Sequence, residues 1–429
     1  MTTAIGLQPR MRTSLLGRSA AVSRLKSASP LLSRAGHHMA SLWPVDPGLV
    51  AAVVYTNPDY LPPLINEAWE LDGANLQLHV VCRDYLVQWH VTYPDTTQLH
   101  RLACRMHNTA VEYALFVLRV LAWPGRRPTV IVGHDANGFV AACLRSWLIR
   151  RPLIYRCHDF RGAEHAQSIG ERFVAAFERR FARTADLVVV PDAERGEVIR
   201  RELRLTRPPL VVANAPRQSG WGHIRRQTRL NAELEKRGKR FSRVVLRQGT
   251  IGPGHAIEAT IRSMRHWANC DWGFVLLGFS NSAYLAQLAA LAESLGVADR
   301  LVVLPAVRYD DVAAYSAGAD LGHALYEPTH VNNRYITTAS NKIMEYMASG
   351  LPLLVSNRPG LRSFADDFGC GVVADEGAPE DIARAVNAVL GDEGELQRLG
   401  ANARRAFEDT FCFERQFAPV LTTVTQGLA

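Results

Sequence analysis

Lys342 and Glu345 stand three residues apart in Asn341-Lys342-Ile343-Met344-Glu345-Tyr346-Met347-Ala348. The run reads as a short helix, stopped by Gly350 and followed by Pro352 and the apolar strand Leu353 to Val355. At that spacing the two side chains share a helix face and offer a cation and an acceptor-only carboxylate together. The helix follows the strand-like run Asp320 to Tyr326, so it opens at the carboxyl edge of a parallel sheet, where α/β proteins bind ligands. A carboxylate there can accept both hydroxyls of a ribose, and the lysine can neutralise a diphosphate. The plainer alternatives are a helix-dipole partner for Glu345 and a solvated surface lysine for Lys342.

Other strand ends add to this pattern. Gln248-Gly249-Thr250-Ile251-Gly252-Pro253-Gly254-His255 places three glycines just before a helix, where backbone N–H groups can approach phosphate oxygens. Gly278, in Leu276-Leu277-Gly278-Phe279-Ser280, lets a ligand near the next strand end, and Pro305-Ala306-Val307 forms a small-residue rim suited to a base edge. In the first half, Gly133-His134-Asp135 and Cys157-His158-Asp159 end two strands with histidines expected to project into a cleft. His158, after the more apolar strand, is the better placed of the two to meet a reacting centre. The aromatic and histidine cluster Tyr85, Trp89, His90, Tyr93 and His100 reads as packing or as an acceptor pocket, with packing preferred.

The elements that position these residues alternate short β-branched runs with longer helical ones, the pattern of doubly wound parallel sheets. Strands are expected at Val50 to Tyr55, Leu76 to Cys82, Thr129 to Gly133, Leu153 to Cys157, Leu187 to Val190 and Leu210 to Ala213. A second set is expected at Val244 to Arg247, Phe274 to Leu277, Leu301 to Leu304, Leu321 to Leu325, Leu353 to Val355 and Val372 to Ala374. Helices fall between them, and one long amphipathic helix is expected from Glu393 to about Val424. With 429 residues the chain accommodates two domains, each burying its own core, with a cleft between them.

Net charge is +8, but residues 1–45 hold Arg10, Arg12, Arg18, Arg24, Lys26 and Arg34 with no acid, so the body is nearly balanced and gives no case for a nucleic-acid partner. This tail has the make-up of a transit peptide. The preferred readings are a basic extension or an early start, since Met11 and Met39 could each begin the chain. Residues 217–240, with Arg225, Arg226, Arg229, Lys236, Arg237, Lys239 and Arg240, read as a solvated linker; together with the tail they leave open a peripheral contact with an anionic membrane. No run is long enough to span a bilayer, and Ala110 to Trp123 is expected to be a buried helix. Seven cysteines without a Cys-x-x-Cys spacing point to a reducing compartment, to thiols packed in the core and to no metal site.

Taken together, Gln248-Gly249, Leu277-Gly278, Gly318-Ala319-Asp320 and above all Asn341-Lys342-x-x-Glu345-Tyr346-Met347-Ala348-x-Gly350-x-Pro352 resemble the retaining glycosyltransferases of family 4, also called glycosyl transferases group 1. The first half is more weakly similar, through Gly133-His134-Asp135, His158-Asp159, Ala185-Asp186 and Asn214-Ala215-Pro216. The resemblance implies the GT-B fold: α/β, with two doubly wound Rossmann-like domains facing a central cleft. It implies a basic tail at 1–45, an acceptor-binding domain at 46–216, a linker at 217–240, a donor domain at 241–410 and a helix at 411–429 crossing back to the first domain. A nucleoside-diphosphate sugar would be bound by Gly249, Thr250, Gly278, Val307, Asn341, Lys342 and Glu345, with Glu345 matching the ribose-binding Glu. Catalysis would fall to His158 and Lys342, and His134, Asp135 and Trp89 would face the acceptor, a glycan, a lipid-linked glycan or a small molecule. The resemblance further implies no metal, no cofactor besides the nucleotide sugar, and a cytoplasmic enzyme at most peripheral to a membrane.

The sequence departs from the family at two places. Thr250 stands where many members carry an Arg, and the region of Gly254-His255 has no fixed cation where a Lys or Arg is usual, leaving Lys342, Arg247, His255 or Arg334 to hold the diphosphate. Thr337 stands eight places before Glu345, with seven residues between, where a first Glu is usual. These departures keep two alternatives open: an inactive relative that binds a nucleotide sugar or a partner enzyme, and a nucleotide-sugar epimerase of the same fold.

Overall fold

The computed structural model describes residues 45–84, 90–103, 109–123, 127–160, 162, 166–221 and 229–426. The basic tail to residue 44, Tyr85, Trp89, Cys104, Arg225 and Arg226 lie outside the described residues. Two all-parallel sheets carry the chain. The first has seven strands, in the order β3-β2-β1-β4-β5-β6-β7. They are β1 (Leu49–Val54), β2 (Gln77–Arg83), β3 (Thr97–Leu102), β4 (Val130–His134), β5 (Leu153–Arg156), β6 (Leu187–Val190) and β7 (Leu210–Val211). The second has six, in the order β10-β9-β8-β11-β12-β13. They are β8 (Arg243–Thr250), β9 (Trp272–Phe279), β10 (Leu301–Pro305), β11 (Leu321–Ala324), β12 (Leu353–Ser356) and β13 (Gly371–Ala374). Central strands such as β1 (LVAAVV) and β12 are buried throughout because helices cover both faces, hence their uninterrupted apolar runs. Strand order reverses between β1 and β4 and between β8 and β11, and the crevices at these switch points are where such sheets bind ligands.

Several expectations change. β3 was not anticipated: as an edge strand, TQLHRL is partly exposed along its length and lacks the apolar signature of its neighbours. The helix Thr109–Ala122 is not buried; only Glu112, Phe116 and Val120 are, while Val111 and Leu118 face outward. Phe116 and Val120, with the partly buried Tyr113 and Val117, pack against the first domain's core. Residues 217–240 do not form a solvated linker throughout: the helices Gln218–Trp221 and Arg229–Lys236 sink Trp221, Leu230 and Leu234 into the second domain's core. Lys236 and Arg237 both pair with Glu233, which leaves this helix little charge for a membrane. Among the six described cysteines five are buried, but Cys270 is exposed.

The expected C-terminal helix is two helices, Glu393–Ala406 and Phe413–Gln426, separated by a π-helical turn at Phe407–Phe411. The break redirects the chain onto the first domain. Phe413, Phe417, Val420 and Val424 join the core formed by β1, β2 and β4, and Phe413 N donates to Pro216 O at 3.1 Å. Each such side chain contributes about 1.5–3 kcal/mol of burial, so this helix fastens the domains together.

A second fastening is the 327–340 segment, which reaches from the second domain across to the first. Arg195, 1% exposed, donates to the carbonyls of His158 (2.7 Å), Asn332 (2.7 Å) and Tyr335 (3.0 Å). Thr338 N donates to Asp192 Oδ2 at 3.1 Å, and Asn214 Nδ2 donates to Ala339 O at 2.9 Å. Arg195→Ala leaves three carbonyls without this donor and should cost about 3 kcal/mol or more, read as a lower denaturant midpoint. Arg195→Lys should recover only part of the loss, because one ammonium cannot span both domains as the planar fork does.

Candidate active site

The two switch-point crevices bring the singled-out residues together. In the second domain, the helix Asn341–Ala348 is capped by Ser340, whose Oγ accepts from Ile343 N at 3.3 Å and meets Tyr326 Oη at 2.7 Å. Lys342 and Glu345 both face the end of β8. Gly249 is held at φ +85°, a left-handed backbone suited to glycine, and a Cβ there would lie 3.2 Å from the Lys342 ammonium. At Gly278 a Cβ would fall 1.7 Å from Gly249 O, so its bareness lets β8 and β9 meet. Thr250 is exposed beside Gly249, and Val307 packs half-buried against the core below this edge.

Glu345 is 6% exposed and accepts a hydrogen bond from Gln248 Nε2 at 2.5 Å, while Ser316 Oγ donates to Gln248 Oε1 at 2.7 Å. Tyr346 Oη, which accepts from Gln248 N at 3.0 Å and donates to Leu246 O at 2.9 Å, pins the same strand end. Gln248 stood in the motif without an assigned role, and Ser316 had no sequence signal at all; both orient the carboxylate.

Burial pushes the Glu345 carboxyl up to about 7, against the opposing effects of Gln248 and Lys342. Burial also holds Lys342 below its usual range, with Arg247 acting the same way and Tyr326 and Glu345 opposing. The signs for Glu345 give a pH prediction. A carboxyl raised in the folded state stabilises the ligand-free protein below about pH 4.5, and that stabilisation is lost as pH rises through about 7. A ligand that needs the ionised carboxylate behaves oppositely. Nucleotide affinity should therefore fall roughly tenfold or more from pH 8 to pH 5.5, measured by calorimetry, while this group's contribution to ligand-free stability rises over the same descent.

On the other side of the cleft, His134 does not project freely; it is 2% exposed and lies against His158, itself 6% exposed. Their rings stack at 5.3 Å and 14°, with His134 Nδ1 3.1 Å from His158 Nε2, so one hydrogen joins them. Behind the pair, Glu67 Oε2 lies 3.9 Å from His134 Nε2 and 2.5 Å from the guanidinium of Arg156. Burial holds both histidines well below their usual value; His158 and Arg156 add to this at His134, and Arg156 at His158. His158 is therefore neutral at physiological pH, a hydrogen-bonding group rather than a charged acid. Asp135, at φ +52°, uses Oδ1 to accept from the backbone N–H groups of His158 (2.9 Å) and Asp159 (3.0 Å), so it shapes the loop that presents the histidine. The Glu67–Arg156 pair behind the histidines was not legible in the sequence, since Glu67 sits on a helix far from either of them in the chain.

Of the remaining candidate cations, Arg334 is exposed, and burial first, then Arg247 and Lys342, drive His255 down to about 2, leaving it uncharged. Arg247 is 0% exposed.

Comparison with known proteins places these crevices in context. The family described as glycosyl transferases group 1 matches residues 242–406, and the glycosyl transferase 4-like domain matches residues 67–215. A D-inositol 3-phosphate glycosyltransferase of Xylanimonas cellulosilytica is 33% identical over 120 residues, covering 28% of this chain and 27% of that protein. One of the same name from Salinispora tropica is 26% identical over 312 residues, covering 66% of this chain and 61% of the relative. The matches thus span less than two thirds of these relatives' length. The crystal structure of Anabaena HepE in complex with UDP and glucose is similar in fold, with a TM-score of 0.68 at 16% identity over 87% of this chain and 99% of that one.

Proposed function

The chain belongs to the glycosyl transferases group 1 family, and from that membership we propose that it transfers a sugar from a nucleoside-diphosphate sugar to a hydroxyl acceptor, with retention at the anomeric carbon. The observation that carries this reading is the buried Glu345 carboxylate, oriented by Gln248 beside the Lys342 ammonium and the Gly249 turn. The donor ribose lies on Glu345 and its diphosphate near Lys342. The sugar points across the cleft to His158.

In the transfer, the bond between the anomeric carbon and the β-phosphate oxygen breaks and the acceptor oxygen bonds to that carbon on the same face. The hydroxyl proton passes to the departing diphosphate, so His158 has no proton to carry, in keeping with its neutral state. His158 instead hydrogen-bonds the sugar. Rate comes from positive charge held at the leaving phosphate, and this reading requires no metal. The acceptor, a glycan, a lipid-linked glycan or a small molecule such as the inositol phosphate in the relatives' names, enters on the first-domain side. The free state of the six described cysteines is in keeping with the reducing compartment that this reading assigns.

The inactive reading draws on one observation: Thr250 and the uncharged His255 occupy the places where cations are usual. The deciding experiment is calorimetry and thermal shift with UDP, GDP, ADP, dTDP and their sugar conjugates, followed by assay of diphosphate release. Saturable binding with release supports transfer. Binding without release, with any acceptor or with water, establishes the inactive reading, and conversion of the donor sugar without release establishes an epimerase.

A further inference from the structure

Among the largest fully buried side chains are three arginines, Arg156, Arg195 and Arg247. Two have partners that explain them. Arg156 donates to Glu67, and Arg195 donates to three backbone carbonyls. Arg247 has none: its Nε and both Nη atoms lie buried without a hydrogen-bond acceptor, and its guanidinium rests 5.1 Å above the ring of Tyr326. A charge left unpaired in a protein interior is costly, so such a residue calls for an anion at some stage of the protein's work.

The surroundings indicate which anion. Along β8 the side chains alternate, so Gln248 turns to the Asn341–Ala348 helix and Arg247 to the opposite face, with Val245. Lys342 lies against Gly249 at the end of this strand, and Arg247 stands two residues before it, over Tyr326. Each of Lys342, His255 and His323 is held below its usual value in part by Arg247, which places the guanidinium in one positive field with them. The His255 Nδ1 and His323 Nδ1 atoms are also buried without partners. The nearby Glu345 carboxylate is already engaged by Gln248. Two cations close to one glycine-ended strand suit a group with two adjacent negative centres.

We propose that Arg247 is the diphosphate-binding cation of this chain's donor site, supplied from inside β8 in place of the arginine that many relatives carry in the turn after it. The proposal rests on the donor site described under the proposed function. On binding, the guanidinium turns off the Tyr326 face towards Gly249. There Arg247 and Lys342 hold the diphosphate together. Thr250 needs no charge because its duty has moved three residues back along the strand.

The test compares wild type, Arg247→Met and Arg247→Lys by calorimetry with UDP, GDP, ADP and dTDP, their nucleosides, and inorganic pyrophosphate, alongside ligand-free thermal midpoints. Arg247→Met is expected to weaken the preferred diphosphate and pyrophosphate about 30-fold or more, to leave the matching nucleoside within threefold, and to raise the ligand-free midpoint by removing an unpaired buried charge. Arg247→Lys should retain part of the diphosphate affinity. Diphosphate affinity within threefold of wild type in Arg247→Met overturns the proposal while leaving the donor site standing. If Arg247→Met fails to fold, an unchanged ratio of diphosphate to nucleoside affinity in Arg247→Lys overturns it equally. A wild type that binds none of the diphosphates removes the donor reading and this proposal with it.

Discussion

Glu345→Ala should reduce affinity for the preferred nucleoside diphosphate about 100-fold, since two ribose hydroxyls lose a charged acceptor worth about 1.5 kcal/mol or more each. The free nucleoside should lose affinity by a similar factor, because the ribose is common to both. Thermal stability should change little: the variant gives up the Gln248 bond but also sheds a carboxyl that burial already disfavours as an anion. The acid limb of the binding profile near pH 7 should vanish in the same variant. A fall in stability with unchanged binding would show that Glu345 is a helix partner and not a ligand group. Because both halves of the ligand are measured, Glu345→Ala and Arg247→Met are separable: the first weakens nucleoside and diphosphate alike, the second only the phosphate-bearing probes.

His158→Ala should lower turnover about 10²- to 10³-fold while leaving nucleoside-diphosphate binding within threefold, because the proposed reading sets His158 against the sugar and not the nucleotide. Release of nucleoside diphosphate into water, without acceptor, is a sufficient readout. His158→Asn should retain more activity than Ala, since a neutral hydrogen-bonding side chain is what the site uses. Burial keeps His158 uncharged, so its removal should not move the pH at which turnover falls, a limb that the proposed reading assigns to Glu345. Turnover unchanged in His158→Ala would make the His134–His158 stack a structural pair and leave the proposed sugar contact without a residue.

Much of this was open to inspection in the chain. The strand and helix alternation, the Gly249 turn and the Lys342–Glu345 helix are local signals, written in the period of apolar residues and in glycine and proline placement. Errors arose where local pattern and final environment part company. TQLHRL reads as no strand because an edge strand needs only one neighbour. Thr109–Ala122 reads as buried because its apolar residues face every direction, yet only one face is packed. Glu393 to Val424 reads as one helix because its amphipathic pattern continues through the π-helical turn that redirects it.

The sequence by itself determined the two-domain plan and the residue types at each sheet edge, because these depend on neighbours a few positions apart. Only the tertiary structure decided what those residues can do. It joined His134 to His158 across 24 positions, set Gln248 and Ser316 behind Glu345, and closed the 327–340 segment onto Arg195. It also left Arg247 buried without a partner. Charge state and hydrogen-bond capacity are properties of an environment, built by elements distant in the chain, and removal from water by the whole fold is what turns a carboxyl, a histidine or an arginine into a functional group.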